Sequence, residues 1–485
     1  MNDTACATAA GTVERTLVAA LSRLCAAWPQ TRRLTVGFSG GLDSTVLLHV
    51  LAHLRPAGLQ LDALHVDHGW RPESADWARH CIARATALGV GCRVLRIEAR
   101  AAPGESPEAA ARTARYAALG ARLDAGNALL TAQHADDQAE TVLLMLLRGA
   151  GPKGLAAMPE DAALGSGRLW RPLLGVSRAA LQAYATHYRL DWLDDPANTD
   201  TDYDRVFLRE RLMPVLAGRF PAAARTLARS ARLSAEAQAA VETLAAQDLD
   251  GLTGGGAGPA GTGGTLAVAG LQALSPARAR AALRLWIERL GLPLPPAARL
   301  DTVLRDLLPA RRDAEPCVCW PGAEMHRFRE RLHVFAPLPA LPDALCLDWP
   351  PEGGEISIAG LGTLVWQPAS GAGLDAARLA GRRVTLRLRQ GGERFRPAGR
   401  RHAQELKKLL QAAGIAPWLR ARLPLLYIDD ELVAVAGLGI AEGWLAGPDA
   451  PGRVPAWQTQ APSSTMPRFV AAPLGAREAG LEHFP

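Results

Sequence analysis

The residues best suited to chemistry lie in three short stretches. Ser39-Gly40-Gly41-Leu42-Asp43-Ser44 follows an apolar run and opens a helical one. Amides at a helix start lack carbonyl partners, and the helix dipole favours an anion there. Two glycines let the backbone approach that anion closely, and Ser39 and Ser44 add hydroxyl donors. This is a phosphate cradle without the GxxxxGK[ST] pattern, or the lysine, of a Walker A loop. Phosphates would repel Asp43 unless a divalent cation lay between them, so Mg²⁺ at Asp43 is expected. A bare SGG would read as a glycine turn with Asp43 and Ser44 as helix caps; the full hexapeptide between strand and helix favours phosphate. The second stretch carries His134, Asp136, Asp137 and Glu140 at another helix start. Asp137 and Glu140, three apart, share a face and could hold Mg²⁺ or an ammonium group. An Asp-headed capping box is the alternative, and spacing alone leaves the two even. The third stretch is His65-Val66-Asp67-His68-Gly69; His65, His68 and His134 match no common zinc spacing.

These stretches need a frame that brings them together. Strand patterns at Leu34 to Phe38, Leu61 to Val66, Arg93 to Ile97 and Ala128 to Ala132 alternate with helical patterns. The helices run over Ser44 to Leu54, Ala75 to Leu88, Pro107 to Leu123 and Asp137 to Leu147. Such alternation predicts an α/β fold with a parallel sheet covered on both faces. Parallel sheets bind ligands at the carboxyl ends of their strands, where all three stretches fall. Beyond Pro221 the chain becomes Ala-rich and helical, with a linker-like run at Thr253 to Gly264. From about Ile356 short strands return, with one basic helix near Ala403 to Ala413. The expected organisation is a catalytic domain over 1–225 and a mainly helical domain over 226–350. A smaller α+β domain over 351–450 and a poorly ordered tail over 451–485 follow.

The 485 residues suit about three domains, and 48% hydrophobic residues allow a sizeable core. No apolar run is long enough for a bilayer, and Met1 to Ala10 has no basic region ahead of an apolar one. Seven cysteines with no CxxC pair fit reduced thiols and a cytoplasmic protein. Cys317 and Cys319 read as half-buried strand residues rather than ligands. The net charge of +6 is uneven: Arg382 to Leu425 holds 12 Lys or Arg against 2 Glu, a local charge of +10. Such clustering predicts a polyanionic partner. Arg394, Arg396, Arg400 and Arg401 precede the basic helix, which carries Lys407 and Lys408. These six could line a track for the phosphates of such a partner, without every one touching it.

Ser39 to Ser44 resembles the loop of the PP-loop ATP pyrophosphatases, which cleave ATP to AMP and pyrophosphate. His65 to Gly69, Ala111 to Tyr116, Thr131 to Thr141, Arg148 to Leu155, Arg171-Pro172-Leu173-Leu174 and Asp195-Pro196-Ala197-Asn198 resemble, in order, the motif series of the lysidine synthase family. The resemblance runs through Pro214 and resumes in the basic C-terminal segment. It implies a parallel-sheet PP-loop domain that binds ATP through residues 39–44, with His65 and His68 beside the nucleotide. It implies Mg²⁺ at Asp43 and Asp137, and lysine or metal contacts from Asp137 and Glu140. It favours Arg115 for a phosphate or carboxylate, brings in Arg205, and leaves His134 or a carboxylate to take a proton. The family usually has Arg-Asn where this chain has Arg205-Val206. The implied partners are an isoleucine tRNA with a CAU anticodon and free L-lysine; a homodimer is left open. The implied reaction joins lysine to the wobble cytidine through an adenylated base. A thiolation enzyme on the same scaffold would need core cysteine pairs, which this chain lacks. A non-catalytic tRNA binder is disfavoured by the intact Ser39 to Ser44, Asp136 and Asp137. No glutaminase nucleophile arrangement is evident.

Overall fold

The structure, a computed structural model, describes residues 3–67, 74–97, 107–194, 204–252, 265–311, 314–342 and 345–457. His68, Gly69, the Asp195 to Asn198 motif and the run at 253–264 fall outside the described residues. The chain forms two compact units, Met1–Ala240 and Val241–Pro485.

The first unit begins with α1 (Asp3–Ala27). It continues through β1 (Arg33–Gly37), α2 (Leu42–Leu54), β2 (Gln60–Asp67), α3 (Ser74–Ala87), β3 (Gly91–Arg96), α4 (Pro107–Gly120), β4 (Asn127–Leu130) and α5 (Ala135–Leu147). Then follow α6 (Pro152–Leu155), the hairpin of β5 (Asp161–Leu164) and β6 (Gly167–Trp170), and α7 (Arg178–His187). After α8 (Asp204–Phe207) a π-helical turn, Leu208–Leu212, leads into α9 (Met213–Arg219) and the long α10 (Ala223–Leu252). The sheet order is β3-β2-β1-β4-β6-β5; all neighbours are parallel except the β5–β6 hairpin. The chain therefore steps outward from β1 to β3 and returns to the far side of β1 with β4. That return makes a crevice at the carboxyl ends of β1 and β4.

The sheet is covered on both faces, as its continuous apolar strands require. Leu34, Val36 and Leu130 pack with Val46, Leu47, Leu51, Trp170 and Tyr184 in one core. Leu64, Leu129 and Leu169 face Leu119 and Leu123 in another. Leu129 and Leu130 take opposite faces, as period-two alternation dictates. Helix α1 adds Val13, Leu17, Leu21 and Leu24 to the first core along one helical stripe. The strands and helices expected over the first 150 residues are all present, and the expected boundary at 225 falls within α10.

In the second unit, β7 (Leu266–Ala267), α11 (Val268–Ala273), α12 (Pro276–Arg289) and α13 (Ala297–Thr302) precede β8 (Cys317–Trp320), β9 (Ala323–Phe328) and β10 (Arg331–Phe335). The helices expected here thus share a core with a four-stranded antiparallel sheet of order β7-β10-β9-β8. Next come β11 (Cys346–Asp348), β12 (Glu355–Ile358), β13 (Gly362–Ser370), β14 (Leu374–Asp375), α14 (Ala376–Leu379), β15 (Val384–Leu388), β16 (Arg394–Phe395) and β17 (Gln404–Glu405). The last elements are α15 (Leu406–Ala412), α16 (Pro417–Arg420), β18 (Pro424–Ile428), β19 (Glu431–Val435), β20 (Gly439–Ile440) and β21 (Pro451–Trp457). They form a five-stranded sheet β11-β15-β18-β19-β20 and a four-stranded sheet β12-β13-β21-β14 around a shared core. Residues 451–457, expected to belong to a poorly ordered tail, instead form a strand that pairs with β13 from Leu364 to Ser370. Among the described residues no helix is long and apolar enough to cross a membrane.

Candidate active site

The glycine loop follows directly from β1. Gly40 sits at φ +83°, and a Cβ there would come 2.9 Å from the Cys81 Sγ. No other residue fits both the dihedral and the space. The Gly40 carbonyl accepts from the Leu193 N–H at 2.9 Å and from the Thr45 hydroxyl at 3.3 Å, which fixes the turn. Ser39 and Ser44 hydroxyls meet at 3.0 Å across its mouth, and Gly41 is the N-cap of α2 without a side-chain cap. The leading amides of α2 are thus left for a ligand. Gly40→Ala is expected to cost about 1–2 kcal/mol in backbone strain alone, with a lower apparent unfolding temperature and weakened ATP binding. Thermal unfolding with and without ATP measures both.

The crevice places the start of α5 opposite this loop. His134 is its N-cap: the ring Nδ1 accepts the Asp136 N–H at 3.3 Å, and Asp137 Oδ2 accepts the His134 N–H at 3.0 Å. The capping box expected between Asp137 and Glu140 is therefore three residues earlier. The same His134 gathers the acids: Nε2 lies 3.6 Å from Asp43 Oδ2 and 3.5 Å from Asp137 Oδ2, and Nδ1 lies 3.6 Å from Asp136 Oδ2. Burial would lower the imidazole pKa, but the hydrogen bonds to Asp136 and Asp43 and the charges of Asp137 and Asp43 overcome it and raise it to about 10. That protonated form conflicts with an Nδ1 lone pair accepting the Asp136 N–H. With the acids uncompensated, three carboxylates outweigh one long cap bond, and the imidazolium wins. A cation shared by Asp43 and Asp137 would remove that pull and restore the neutral capping ring. Asp136 itself loses to burial but gains more from His134 and the Arg178 N–H, donated at 2.8 Å, which hold its carboxyl below the usual range. Asp43 Oδ1 is buried with no hydrogen-bond partner among the described residues. An orphaned carboxylate oxygen beside a phosphate cradle fits a divalent cation, completed by phosphate and water oxygens.

Glu140, expected to face substrate, is 1% exposed. Both its oxygens accept from Arg209, Oε1 from Nε at 2.7 Å and Oε2 from Nη2 at 3.1 Å. Arg209 Nη2 also donates to Asp137 Oδ1 at 3.1 Å. Burial lifts the Glu140 carboxyl above its ordinary range despite this partner. The Arg209 guanidinium is held above its own: burial would lower it, but Glu140 and then Asp137 reverse that. Sequence reading missed Arg209. It lies on the π-helical turn, a device that re-aims side chains at functional sites. Its signal was the four-residue spacing from Arg205, whose Nη2 donates to Thr141 Oγ1 at 3.2 Å.

The other expected residues divide. His65 is buried, with Nδ1 2.9 Å from the Phe38 carbonyl and 3.3 Å from Cys81 Sγ. That contact braces the strand end that leads into the loop. Arg115 is exposed on α4, whose Arg112 and Tyr116 line an open groove with Gly120, Leu164 and Gly165. That groove shares no residue with the His134 cluster.

In the second unit the basic segment separates into two groups. Arg382, Arg383, Arg387, Arg389 and Arg420 pair with Asp429, Asp348, Asp430, Glu393 and Glu315. Arg394, Arg396, Arg400, Arg401, Lys407 and Lys408 are all exposed. Only Lys408 among these six has an acid within reach among the described residues, Glu405 at 3.5 Å. Leu406, Leu409 and Leu410 of α15 face the core, which turns its lysines outward.

Comparison with known proteins gives three family-model matches. Residues 12–216 match a PP-loop domain, residues 266–333 a TilS substrate binding domain, and residues 384–457 a TilS substrate C-terminal domain. The tRNA(Ile)-lysidine synthase of Methylococcus capsulatus is 44% identical over 412 residues, spanning 85% of this chain and 92% of that protein. That of Alkalilimnicola ehrlichii is 45% identical over 420 residues, 85% and 91% respectively. That of Yersinia pseudotuberculosis serotype O:1b is 37% identical over 448 residues, 89% and 97% respectively.

Proposed function

Because the chain belongs to the tRNA(Ile)-lysidine synthase family, we propose that it forms lysidine on an isoleucine tRNA, using ATP at the crevice between β1 and β4 and free L-lysine as the amine. The observation that carries this reading is the meeting of Asp43, from the glycine loop, with Asp137, from the start of α5, on one imidazole nitrogen.

The phosphates of ATP lie over residues 39–44, where the α2 amides and the Ser39 and Ser44 hydroxyls receive them. Asp43 and Asp137 would hold Mg²⁺, which would offset the charge of the phosphates. The wobble cytosine O2 attacks the α-phosphorus, an O–P bond forms, and pyrophosphate leaves along the loop amides. The lysine ε-amine then attacks the activated C2, its C–N bond replaces the bond to oxygen, and AMP departs. The amine proton passes to a nearby carboxylate or to His134, whose ring is neutral once a cation offsets Asp43 and Asp137. The CAU anticodon is shared with methionine tRNA, so contacts in the second unit supply the discrimination.

Arg209 holds Asp137 at the angle this chemistry needs, and Glu140 holds Arg209. Arg209→Gln is expected to lower the turnover number about tenfold to a hundredfold, the worth of one or two charge-assisted hydrogen bonds at about 1.5–3 kcal/mol. The apparent Kd for tRNA should not move. The variant's KM for lysine should rise more than that for ATP, because Asp137 swings away from the amine while residues 39–44 are untouched. Steady-state kinetics with each substrate varied in turn checks this. A rise confined to ATP would assign Asp137 to the metal alone.

A further inference from the structure

The β8–β9 hairpin carries a second cluster of ligating side chains, in the other unit from the crevice. Its register pairs Cys317 with His326, Val318 with Met325, Cys319 with Glu324 and Trp320 with Ala323. Val318, Trp320, Ala323 and Met325 face the core and are buried. Alternation therefore sends Cys317, Cys319, Glu324 and His326 together to the opposite face. There the two sulfurs lie 3.2 Å apart, Cys317 Sγ lies 3.5 Å from His326 Nε2, and His326 Nε2 lies 3.5 Å from Glu324 Oε1. Ligand atoms of Cys317, Glu324 and His326 all lie within 4.8 Å of one another.

We propose that Cys317, Cys319, Glu324 and His326 form a closed zinc site that staples this hairpin. Tetrahedral zinc, with bonds of about 2.3 Å to sulfur and about 2.0–2.2 Å to nitrogen and oxygen, sets the spacings. It places two sulfurs about 3.8 Å apart, sulfur and nitrogen about 3.6 Å apart, and nitrogen and oxygen about 3.4 Å apart. The Cys317–His326 and His326–Glu324 spacings are already met; Cys319 lies against Cys317 but outside the 4.8 Å group of the other three, so its sulfur must swing towards His326 and Glu324 to become the fourth ligand. Two thiolates, an imidazole and a carboxylate are a donor set for a borderline-soft divalent cation, not for Mg²⁺.

The surroundings hold the histidine in place. His326 stacks parallel on Phe335 at 5.3 Å and against Trp418 at 4.6 Å. Trp418 also touches Phe328, His333 and Phe335. A packed ring is a pre-oriented ligand. Zinc uptake forms two Zn–S bonds and releases the thiol protons to solvent, with no change of oxidation state. Four protein ligands leave no open position, so the site is structural and not catalytic. Cys-x-Cys alone is not a recognisable zinc spacing, which is why these residues read as ordinary strand positions. The remaining ligands come from the facing strand and emerge only from the register.

The test uses the full-length protein, reduced and stripped of metal, in excess Mg²⁺ so that the carboxylates of the crevice are occupied. Co²⁺ is titrated as a spectroscopic stand-in for zinc. One equivalent should produce thiolate-to-cobalt charge-transfer absorption and the ligand-field bands of a tetrahedral ion, and zinc should abolish both. Cys317→Ser with Cys319→Ser should remove the charge-transfer band and weaken zinc binding by about a thousandfold or more. His326→Ala should weaken it by at least about tenfold, and Cys346→Ser should change nothing. Absence of a charge-transfer band in the unaltered protein overturns the proposal whatever the variants do. So does a band that survives the double serine change.

Discussion

Asp43→Ala lowers pyrophosphate release from ATP by about a thousandfold or more while tRNA still binds. The loss corresponds to on the order of 4 kcal/mol, the scale of a metal clamp on a transferring phosphoryl group. Asp43 stands in the first turn of α2 behind the glycine loop, and its Oδ1 is buried with no hydrogen-bond partner among the described residues. A carboxylate so placed serves a ligand and not the fold. Among the described residues its other oxygen makes the 3.6 Å approach to His134, so the variant should remain folded. Asp43→Asn keeps the shape and loses the charge, and should fall nearly as far. Rapid-quench measurement of pyrophosphate, alongside tRNA binding and thermal unfolding, separates these effects. A near-normal rate in a folded Asp43→Ala protein would take Mg²⁺ away from this residue.

Neutralising Arg394, Arg396, Arg400, Arg401, Lys407 and Lys408 together weakens tRNA binding by roughly ten- to a thousandfold and flattens its salt dependence by about two to four units of slope. Each phosphate contact releases counterions and contributes roughly 0.7–0.9 to the slope of log K against log salt, and about half to two-thirds of such a patch touches phosphate. Arg382, Arg383 and Arg387 are paired with Asp429, Asp348 and Asp430, so changing them should leave the slope nearly unchanged. That contrast distinguishes an RNA-binding face from generally basic surface. Substitution is preferable to truncation near Gly381, which would remove β15 and β18–β21 from a core they share with β11–β13. The substituted enzyme should still bind ATP at residues 39–44. An unchanged slope would contradict the role given to this patch.

Much of the first unit was legible because its signals are local. The apolar run at Leu34 to Gly37, the glycines behind it and the start of α2 lie within twenty residues, and each obeys a short-range rule. The acids at the start of α5 were legible as a group, but their separate roles were not. Whether Glu140 meets solvent or Arg209 depends on a helix 69 residues further on, and spacing within α5 says nothing about that. His134 as cap, with Asp137 closing the box, is set by where β4 ends relative to the crevice. His65 adds a contact that spacing could not show: its Nδ1 lies 2.9 Å from the Phe38 carbonyl, 27 residues earlier. The basic segment was visible as net charge. Its division into paired and unpaired groups was not, because Asp348, Asp429 and Asp430 lie outside the window and reach it only through strand pairing.

The most direct measurement is the fate of the wobble cytidine. The protein is incubated with ATP, isotopically labelled L-lysine and an isoleucine tRNA bearing a CAU anticodon, and the tRNA is digested and weighed by mass spectrometry. One lysine should be joined to the wobble cytidine, with one AMP and one pyrophosphate formed per lysine transferred, and the methionine tRNA with the same anticodon should stay unmodified. Production of ADP, or ATP cleavage with an unmodified cytidine, would contradict the assignment of this crevice to lysidine formation.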